Sequence, residues 1–278
     1  DVYRNGVKLN STALTKGGTF FIDEKPLATD ATYEIKGGNL NGTYTLKADA
    51  PNGYIPIKTN KPADGTTPDG RRFTYSANDC SVGDVDGDGC DEIIYGSMAV
   101  DNTGKGLYTT GMGHGDAMHL IGFFPDSDKL QVWDCHENRR DGSTFRDAAT
   151  GRVIFQVKSG EDVGRCMAAD IDPTSWGVEM WSLATGGIRN VKGELINSNP
   201  GRISCNMAVW WDGDLSRELL DGNRISKYNW ESKQCEELAT LEGVRNNGSK
   251  SNPCLHADIL GDWREEVILR NHASTQLH

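Results

Sequence analysis

Apolar residues come in short runs along most of the chain, broken by Gly, Asn, Asp and Pro, and stretches at helical spacing are scarce. Such punctuation predicts short strands joined by turns, and so an all-β protein. Val2-Tyr3-Arg4 leads into Asn5-Gly6, a hairpin turn signal. Thr19–Asp23, Thr32–Ile35 and Tyr44–Lys47 read as further strands. The stretch from Lys58 to Arg72 is polar, contains Pro62, Gly65, Pro68 and Gly70, and reads as a linker. It divides the chain into a small β domain over 1–57 and a larger β domain over 58–278.

The larger domain has a rhythm. Asp84-Val85-Asp86-Gly87-Asp88 is followed by Asp126-Ser127-Asp128, Asp170-Ile171-Asp172, Asp212-Gly213-Asp214 and Asp258 to Asp262. The spacing is about 40–46 residues, the length of a four-stranded propeller blade. Most of these acidic turns precede an apolar run that opens on a glutamate, as in Glu92-Ile93-Ile94, Glu179-Met180-Trp181 and Glu266-Val267-Ile268. Period, β character and repeated turn together predict a β-propeller. Phe145 to Val153 reads as a hairpin turning at Thr150-Gly151.

The first acidic turn carries the clearest chemistry. Asp84, Asp86 and Asp88 alternate, so their carboxylates can converge while Gly87 and Gly89 let the backbone bend, and Asp91 and Glu92 follow. This is ligand logic for a hard, oxygen-seeking cation, most simply Ca²⁺. An EF-hand is excluded, because the exit is β-rich and the twelfth loop position holds no glutamate. The later turns add Asp170, Asp172, Glu179, Asp258 and Asp262 as candidate ligands of further Ca²⁺ ions.

Charge and cysteine usage narrow the partners. A net charge of −11 over 278 residues argues against nucleic acid. It leaves acidic polysaccharide open, since bound Ca²⁺ reverses the local sign. No stretch reaches the roughly 18 apolar residues of a membrane span. The seven cysteines are scattered without a CxxC pair, so mostly free, buried thiols are expected.

Two further stretches are candidates for function. Gly113-His114-Gly115-Asp116-Ala117-Met118-His119 packs two histidines and an aspartate between glycines, and His136-Glu137 follows an apolar strand, where it could add to one metal site. Arg165, in a glycine-flanked loop, and Asn246-Asn247-Gly248-Ser249-Lys250 read by default as surface charge and polar turn.

GDVDGDGCDEIIYGSMAVDNTGKGLYTTGMGHGDAMH, RDAATGRVIFQVKSGEDVGRCMAADIDP, WWDGDLSRELLDGNRI, NNGSKSNP and ADILGDWREEVILR resemble the rhamnogalacturonan lyases of polysaccharide lyase family 11. The resemblance covers nearly the whole chain. It implies a secreted or cell-surface bacterial enzyme of pectin degradation, monomeric, built on a calcium-stabilised eight-bladed propeller with a fibronectin-III-like N-terminal β domain, here partial. Such an enzyme cleaves the rhamnose–galacturonate backbone of rhamnogalacturonan I by Ca-assisted β-elimination at galacturonate C5 and C4. Carried over by motif, His114, Asp116 and Glu137 hold a catalytic Ca²⁺. Asn78, Asp79, Asn246, Asn247, Gly248 and Ser249 face the sugar. Arg165 and Lys250 share proton transfer and charge neutralisation, with the base unassigned. Asp84, Asp86, Asp88 and Asp91 then hold a structural ion at a blade edge.

The sequence also departs from that pattern. Thr74 to Asp79 reads as the family's first propeller repeat, whereas Tyr95 to Asp101 already reads as a later one, so several blades are skipped within the first acidic loop. About five blades of about 40–45 residues fit what remains. The alternatives are a non-catalytic calcium propeller that binds pectic polysaccharide, and an integrin-like propeller for protein contacts. The latter has no use for His114, Asp116 and Glu137.

Overall fold

A computed structural model describes residues 1–14, 21–25, 27–37, 40–49, 63–74, 80–248 and 250–278. Among them every regular element is a strand. The chain forms two compact units, Asp1–Ala77 and Asn78–His278. The boundary expected at 57/58 lies outside the described residues.

In the first unit, β1 (Val2–Arg4), β2 (Val7–Lys8), β3 (Ala31–Gly37) and β4 (Leu40–Leu46) make one antiparallel sheet in the order β2-β1-β3-β4. Asn5 and Gly6 sit at φ 47° and 80°, the pair of left-handed residues that a tight two-residue hairpin demands. The strand expected at Thr19–Asp23 does not continue through its described part. Phe21 and Ile22 lie exposed outside any strand. Asp23 instead accepts hydrogen bonds from Arg4 Nη1 (2.5 Å) and Tyr33 Oη (2.7 Å). The expected linker contains a hairpin of β5 (Gly65–Thr66) and β6 (Arg72–Phe73), turned at Gly70 with φ 86°.

The second unit repeats one pattern. β7 (Ser81–Gly83), β8 (Glu92–Tyr95), β9 (Met98–Val100) and β10 (Gly106–Thr109) form a four-stranded antiparallel meander. So do β11 (Met118–Ile121), β12 (Gln131–Cys135), β13 (Ser143–Asp147) and β14 (Val153–Val157). The third comprises β15 (Cys166–Ala169), β16 (Glu179–Ser182), β17 (Ile188–Arg189) and β18 (Leu195–Asn197). The fourth comprises β19 (Met207–Val209), β20 (Glu218–Asp221), β21 (Arg224–Asn229) and β22 (Gln234–Thr240). After these, β23 (Val244–Arg245) pairs with β26 (Arg270–Asn271), and β24 (Leu255–Ala257) with β25 (Glu266–Ile268). The hairpin expected at Thr150-Gly151 joins β13 to β14, with Gly151 at φ 70°.

The sheets lie side by side, with β11 against β7 and β15, and β15 against β19. The cores sit between them. Strand alternation sends neighbouring residues of one strand to opposite faces. Val132 therefore packs with Ile94 and Ala99 of the first sheet, and Trp133 with Cys166 and Met180 of the third. Trp181 and Leu219 fill the next interface, and Leu220 the one beyond. The buried indoles are satisfied: Trp133 Nε1 donates to the Trp181 carbonyl (3.2 Å) and Trp181 Nε1 to that of Ser204 (2.7 Å). Of the thiols, Cys135 and Cys166 are buried, but Cys80, Cys90 and Cys254 are exposed, which corrects the expectation of mostly buried cysteines.

Every acidic turn lies between the first and second strands of its sheet or pair. There the glutamate that opens the second strand arches back to the turn. Glu92 Oε2 accepts the Val85 amide (3.0 Å), and Glu179 Oε2 those of Ile171 and Asp172 (3.0 and 2.9 Å). Glu218 Oε2 accepts Trp211 and Asp212 (2.9 and 3.1 Å), and Glu266 Oε2 accepts Ile259 and Leu260 (2.8 and 3.0 Å). In the second sheet the arch is an amide. Gln131 Oε1 accepts Phe123 N–H (3.0 Å) and Gln131 Nε2 donates to the Lys129 carbonyl (2.8 Å).

Burial pushes the Glu179 carboxyl up to about 7, and its Oε1 has no hydrogen-bond partner. A raised folded value means that stability falls as pH climbs from the ordinary glutamate range, about 4.3, toward 7. Glu179→Gln copies the arch of the second sheet and removes this loss. In EDTA the variant is expected to gain about 1–3 kcal/mol on wild type at pH 8, and little or nothing at pH 4.5. Urea denaturation at the two pH values measures it. A difference that does not change with pH would contradict the assignment.

Candidate active site

First strands enter their sheets from one end and run toward the acidic turns at the other. The loops that lead into them therefore share the opposite end of the sheets. Cys80, His114, Asp116, Arg165, Asn206, Lys250 and Asn252 come from these loops and, with Ser81 at the start of β7, line one open cavity of about 430 Å³. His119 on β11 forms part of its wall, with Nε2 3.1 Å from the Cys166 carbonyl, and burial pushes its pKa down.

His114 and Asp116 on one wall belong to a cluster with Glu137 behind them, and the ligand atoms of the three lie within 4.8 Å of one another. Local packing builds it. Gly115 lies against the Cys135 carbonyl at the end of β12, where a Cβ would collide. The amide of Glu137 donates to the His114 carbonyl (3.1 Å). His114 Nε2 is 3.1 Å from Asp116 Oδ1 and 3.8 Å from Glu137 Oε1. Burial, and next the charge of Asp116, push the Glu137 carboxyl up. Asp116 is held down, first by its hydrogen bond from Lys250.

The facing wall is cationic. Lys250 Nζ reaches across to Asp116 Oδ2. Arg165 Nη2 donates to the Lys250 carbonyl (3.2 Å), and its Nη1 to Asn206 Oδ1 (2.9 Å). Asn206 Nδ2 in turn donates to the Ser251 carbonyl (3.2 Å), so one side chain ties the Arg165 loop to the Lys250 loop. Neither Asn206 nor Asn252 has a local sequence signal. Asn206 matters through contacts more than 40 residues away, to Arg165 and to Ser251.

The remaining candidates fall elsewhere. Asn78, Asp79 and Ser249 lie outside the described residues. Among the described residues, Asn246, Asn247 and Gly248 do not line the cavity, and Asn247 Oδ1 fixes the turn by accepting the Lys250 amide (3.0 Å). His136 is buried away from the site, against Thr144 Oγ1 (2.9 Å).

In the first acidic turn the converging set is Asp84, Asp86 and Glu92. Asp84 also accepts the Gly87 and Gly89 amides (2.7 and 3.0 Å), with both glycines at positive φ. Asp88 bonds Cys90 N–H and Asn102, and Asp91 is exposed. Asp172 is bonded to Thr174 and Lys233, and Asp170 is exposed beside it. Asp258 accepts three backbone amides, and Asp262 pairs with Arg264 (2.6 Å). A third convergent set, Asp212, Asp214 and Glu218, belongs to a turn noted in the sequence but not assigned a ligand role.

The all-β scaffold is that of the rhamnogalacturonan lyases, the class to which the solved structures it superposes on belong. The family model described as Rhamnogalacturonan lyase family 11, C-terminal domain, matches residues 54–90 and 81–278. The chain belongs to that family. It is 51% identical over 200 residues to the rhamnogalacturonan endolyase YesW of Bacillus subtilis, covering 71% of this chain and 32% of YesW. It is 46% identical over 215 residues to the exolyase YesX of the same organism, covering 71% of this chain and 35% of YesX. The chain thus spans about a third of the length of these relatives. A solved rhamnogalacturonan lyase of Bacillus licheniformis superposes with a TM-score of 0.68 at 43% identity, over 89% of this chain and 40% of that one. No helix among the described residues is long and apolar enough to cross a membrane.

Proposed function

We propose that this chain carries the chemistry of a rhamnogalacturonan lyase acting on rhamnogalacturonan I outside a bacterial cell. The observation that supports it most is the meeting, in one cavity, of His114 and Asp116, which cluster with Glu137, with Arg165 and Lys250. Two carboxylates and an imidazole with ligand atoms this close suit a divalent cation. Ca²⁺ bound there would neutralise the galacturonate carboxylate and so make the C5 proton more acidic.

The chain's own residues do the rest. Arg165, anchored by Asn206 and the Lys250 carbonyl, presents its guanidinium to the uronate. Lys250 is the base: its ammonium, released from Asp116, gives a proton to water, and the neutral amine then accepts the C5 proton. The C5–H electrons form the C4=C5 double bond, the C4–O bond breaks with its electron pair on the leaving oxygen, and that oxygen takes up a proton from water.

The meanders are read as propeller blades, four whole and one partial. The first unit is read as part of a fibronectin-III-like domain. The two family matches overlap at 81–90, the acidic loop, as expected of a loop common to two repeats. Asp84, Asp86 and Glu92, at the far ends of the strands from the cavity, are read as a structural Ca²⁺ site.

Incubation with rhamnogalacturonan I and Ca²⁺ is expected to raise absorbance in the unsaturated-uronide band, and EDTA to abolish the rise and lower the melting temperature. Intact polysaccharide binding without that rise would favour the non-catalytic binding module instead. Gly115→Ala, which forces the His114–Asp116 segment off the Cys135 carbonyl, is expected to slow the reaction about 10²-fold. An unchanged initial rate would remove the cluster from the mechanism.

A further inference from the structure

The arch between first and second strands recurs in all four four-stranded sheets of the second unit and in the β24–β25 pair, and the four sheets meet its charge differently. In the first, Glu92 is fully buried with Oε1 unpartnered, beside Asp84 and Asp86. The Ile93↔Val100 pairing, continued by one residue, puts Asp101 opposite it, so the neighbouring strand brings another acid. In the second sheet the arch is the neutral Gln131, opposite Asp147. In the third, Met180↔Arg189 continues to put Asn190 opposite Glu179. In the fourth, the residue opposite Glu218 is Lys227.

We infer that Lys227 is a built-in cation, occupying with its own ammonium group the place of a divalent ion in the Asp212–Asp214–Glu218 turn and making that turn independent of metal. Its Nζ lies 2.5 Å from Asp212 Oδ2, 2.8 Å from Asp214 Oδ2 and 2.7 Å from Glu218 Oε1. An ammonium has three N–H donors and no other bonding capacity; here it donates to Asp212, while Asp214 Oδ2 and Glu218 Oε1 lie within ion-pair distance of the same charge. The side chain is 17% exposed, and its stem runs along the sheet from β21. Glu218 opens β20 directly across from it, so the strand register fixes the reach. Burial opposes the charge on Lys227, but the hydrogen bonds to the three acids outweigh it and push its pKa up. Three carboxylates converge here as they do at Asp84, Asp86 and Glu92, and among the described residues of these four sheets this arch alone faces a cation on the next strand.

The test counts ions. Wild type, Lys227→Gln and Asp214→Asn are stripped with EDTA, equilibrated in CaCl₂, freed of unbound metal and analysed for Ca²⁺ per chain by atomic emission, with melting curves alongside. Lys227→Gln is expected to bind one Ca²⁺ more than wild type, and to melt lower in EDTA but recover in CaCl₂. Asp214→Asn is expected to bind the same number as wild type, because its turn holds no metal. A folded Lys227→Gln with no extra ion overturns the inference, as does an Asp214→Asn chain that has lost one. Should Lys227→Gln not fold in either buffer, the Asp214→Asn count decides alone. The outcome is independent of lyase activity.

Discussion

Replacing Lys250 by alanine lowers the rate of unsaturated-uronide release from rhamnogalacturonan I by about 10²–10⁴-fold, the range expected when a positioned proton acceptor is lost. The melting temperature changes little, because the Lys250 side chain is 46% exposed and an ion pair this open contributes little to stability. The sharper variant is Lys250→Arg. It keeps the positive charge opposite Asp116, but a guanidinium does not give up its proton in a protein. If Lys250 accepts the C5 proton, arginine is as inactive as alanine at saturating substrate. If Lys250 serves only as positive charge, arginine restores most of the rate and the base must be sought elsewhere. Initial rates by absorbance, with melting curves for both variants, separate the cases.

The largest stability effect is expected inside the second sheet, at a buried ion pair. Arg146 and Asp134 are both buried, with Nη1 2.5 Å from Oδ2. Thr144 Oγ1 donates to Asp134, His136 Nε2 lies 3.3 Å from it, and Arg146 Nη2 donates to the Gly96 carbonyl of the first sheet (2.5 Å). Asp134→Asn leaves a buried guanidinium without a counter-charge, and breaking such a pair costs about 3–5 kcal/mol. Arg146→Met, which removes the other charge, strands Asp134 in the same way. The double variant Asp134→Leu/Arg146→Met removes both and is expected to recover much of the loss. Burial alone would raise the Asp134 carboxyl, but the hydrogen bond from His136 and the charge of Arg146 outweigh it and hold the group down. A depressed folded value means that this stability is present above the ordinary aspartate range, about 3.9, and is lost as pH falls below it. Denaturant titrations of the three variants at pH 7 measure the pair. Single variants within 1 kcal/mol of wild type would contradict the argument.

Much of the fold was readable where chemistry is local. Asn5-Gly6 and Thr150-Gly151 form the turns their residue types demand, and each acidic motif falls between first and second strands because aspartate and glycine dictate the local bend. The choice of closing carboxylate was less readable. Asp91 and Glu92 are neighbours, and only strand register decides between them. Gly83↔Glu92 opens the ladder, so Glu92 is buried beneath the turn while Asp91 stays in solvent. The apolar runs opening on glutamate held that signal. Asn206 could not be found in this way, since its role arises from loops brought together by packing. The hairpin at Gly65–Phe73 was hidden by proline and glycine, which serve turns as readily as linkers.

The central claim is tested most directly by the mass of the products. Rhamnogalacturonan I digested by this chain with Ca²⁺ present is expected to yield oligosaccharides ending in an unsaturated uronate, each one water lighter than the corresponding hydrolytic fragment. Fragments of hydrolytic mass, or undegraded polysaccharide recovered bound to the folded chain, would contradict it.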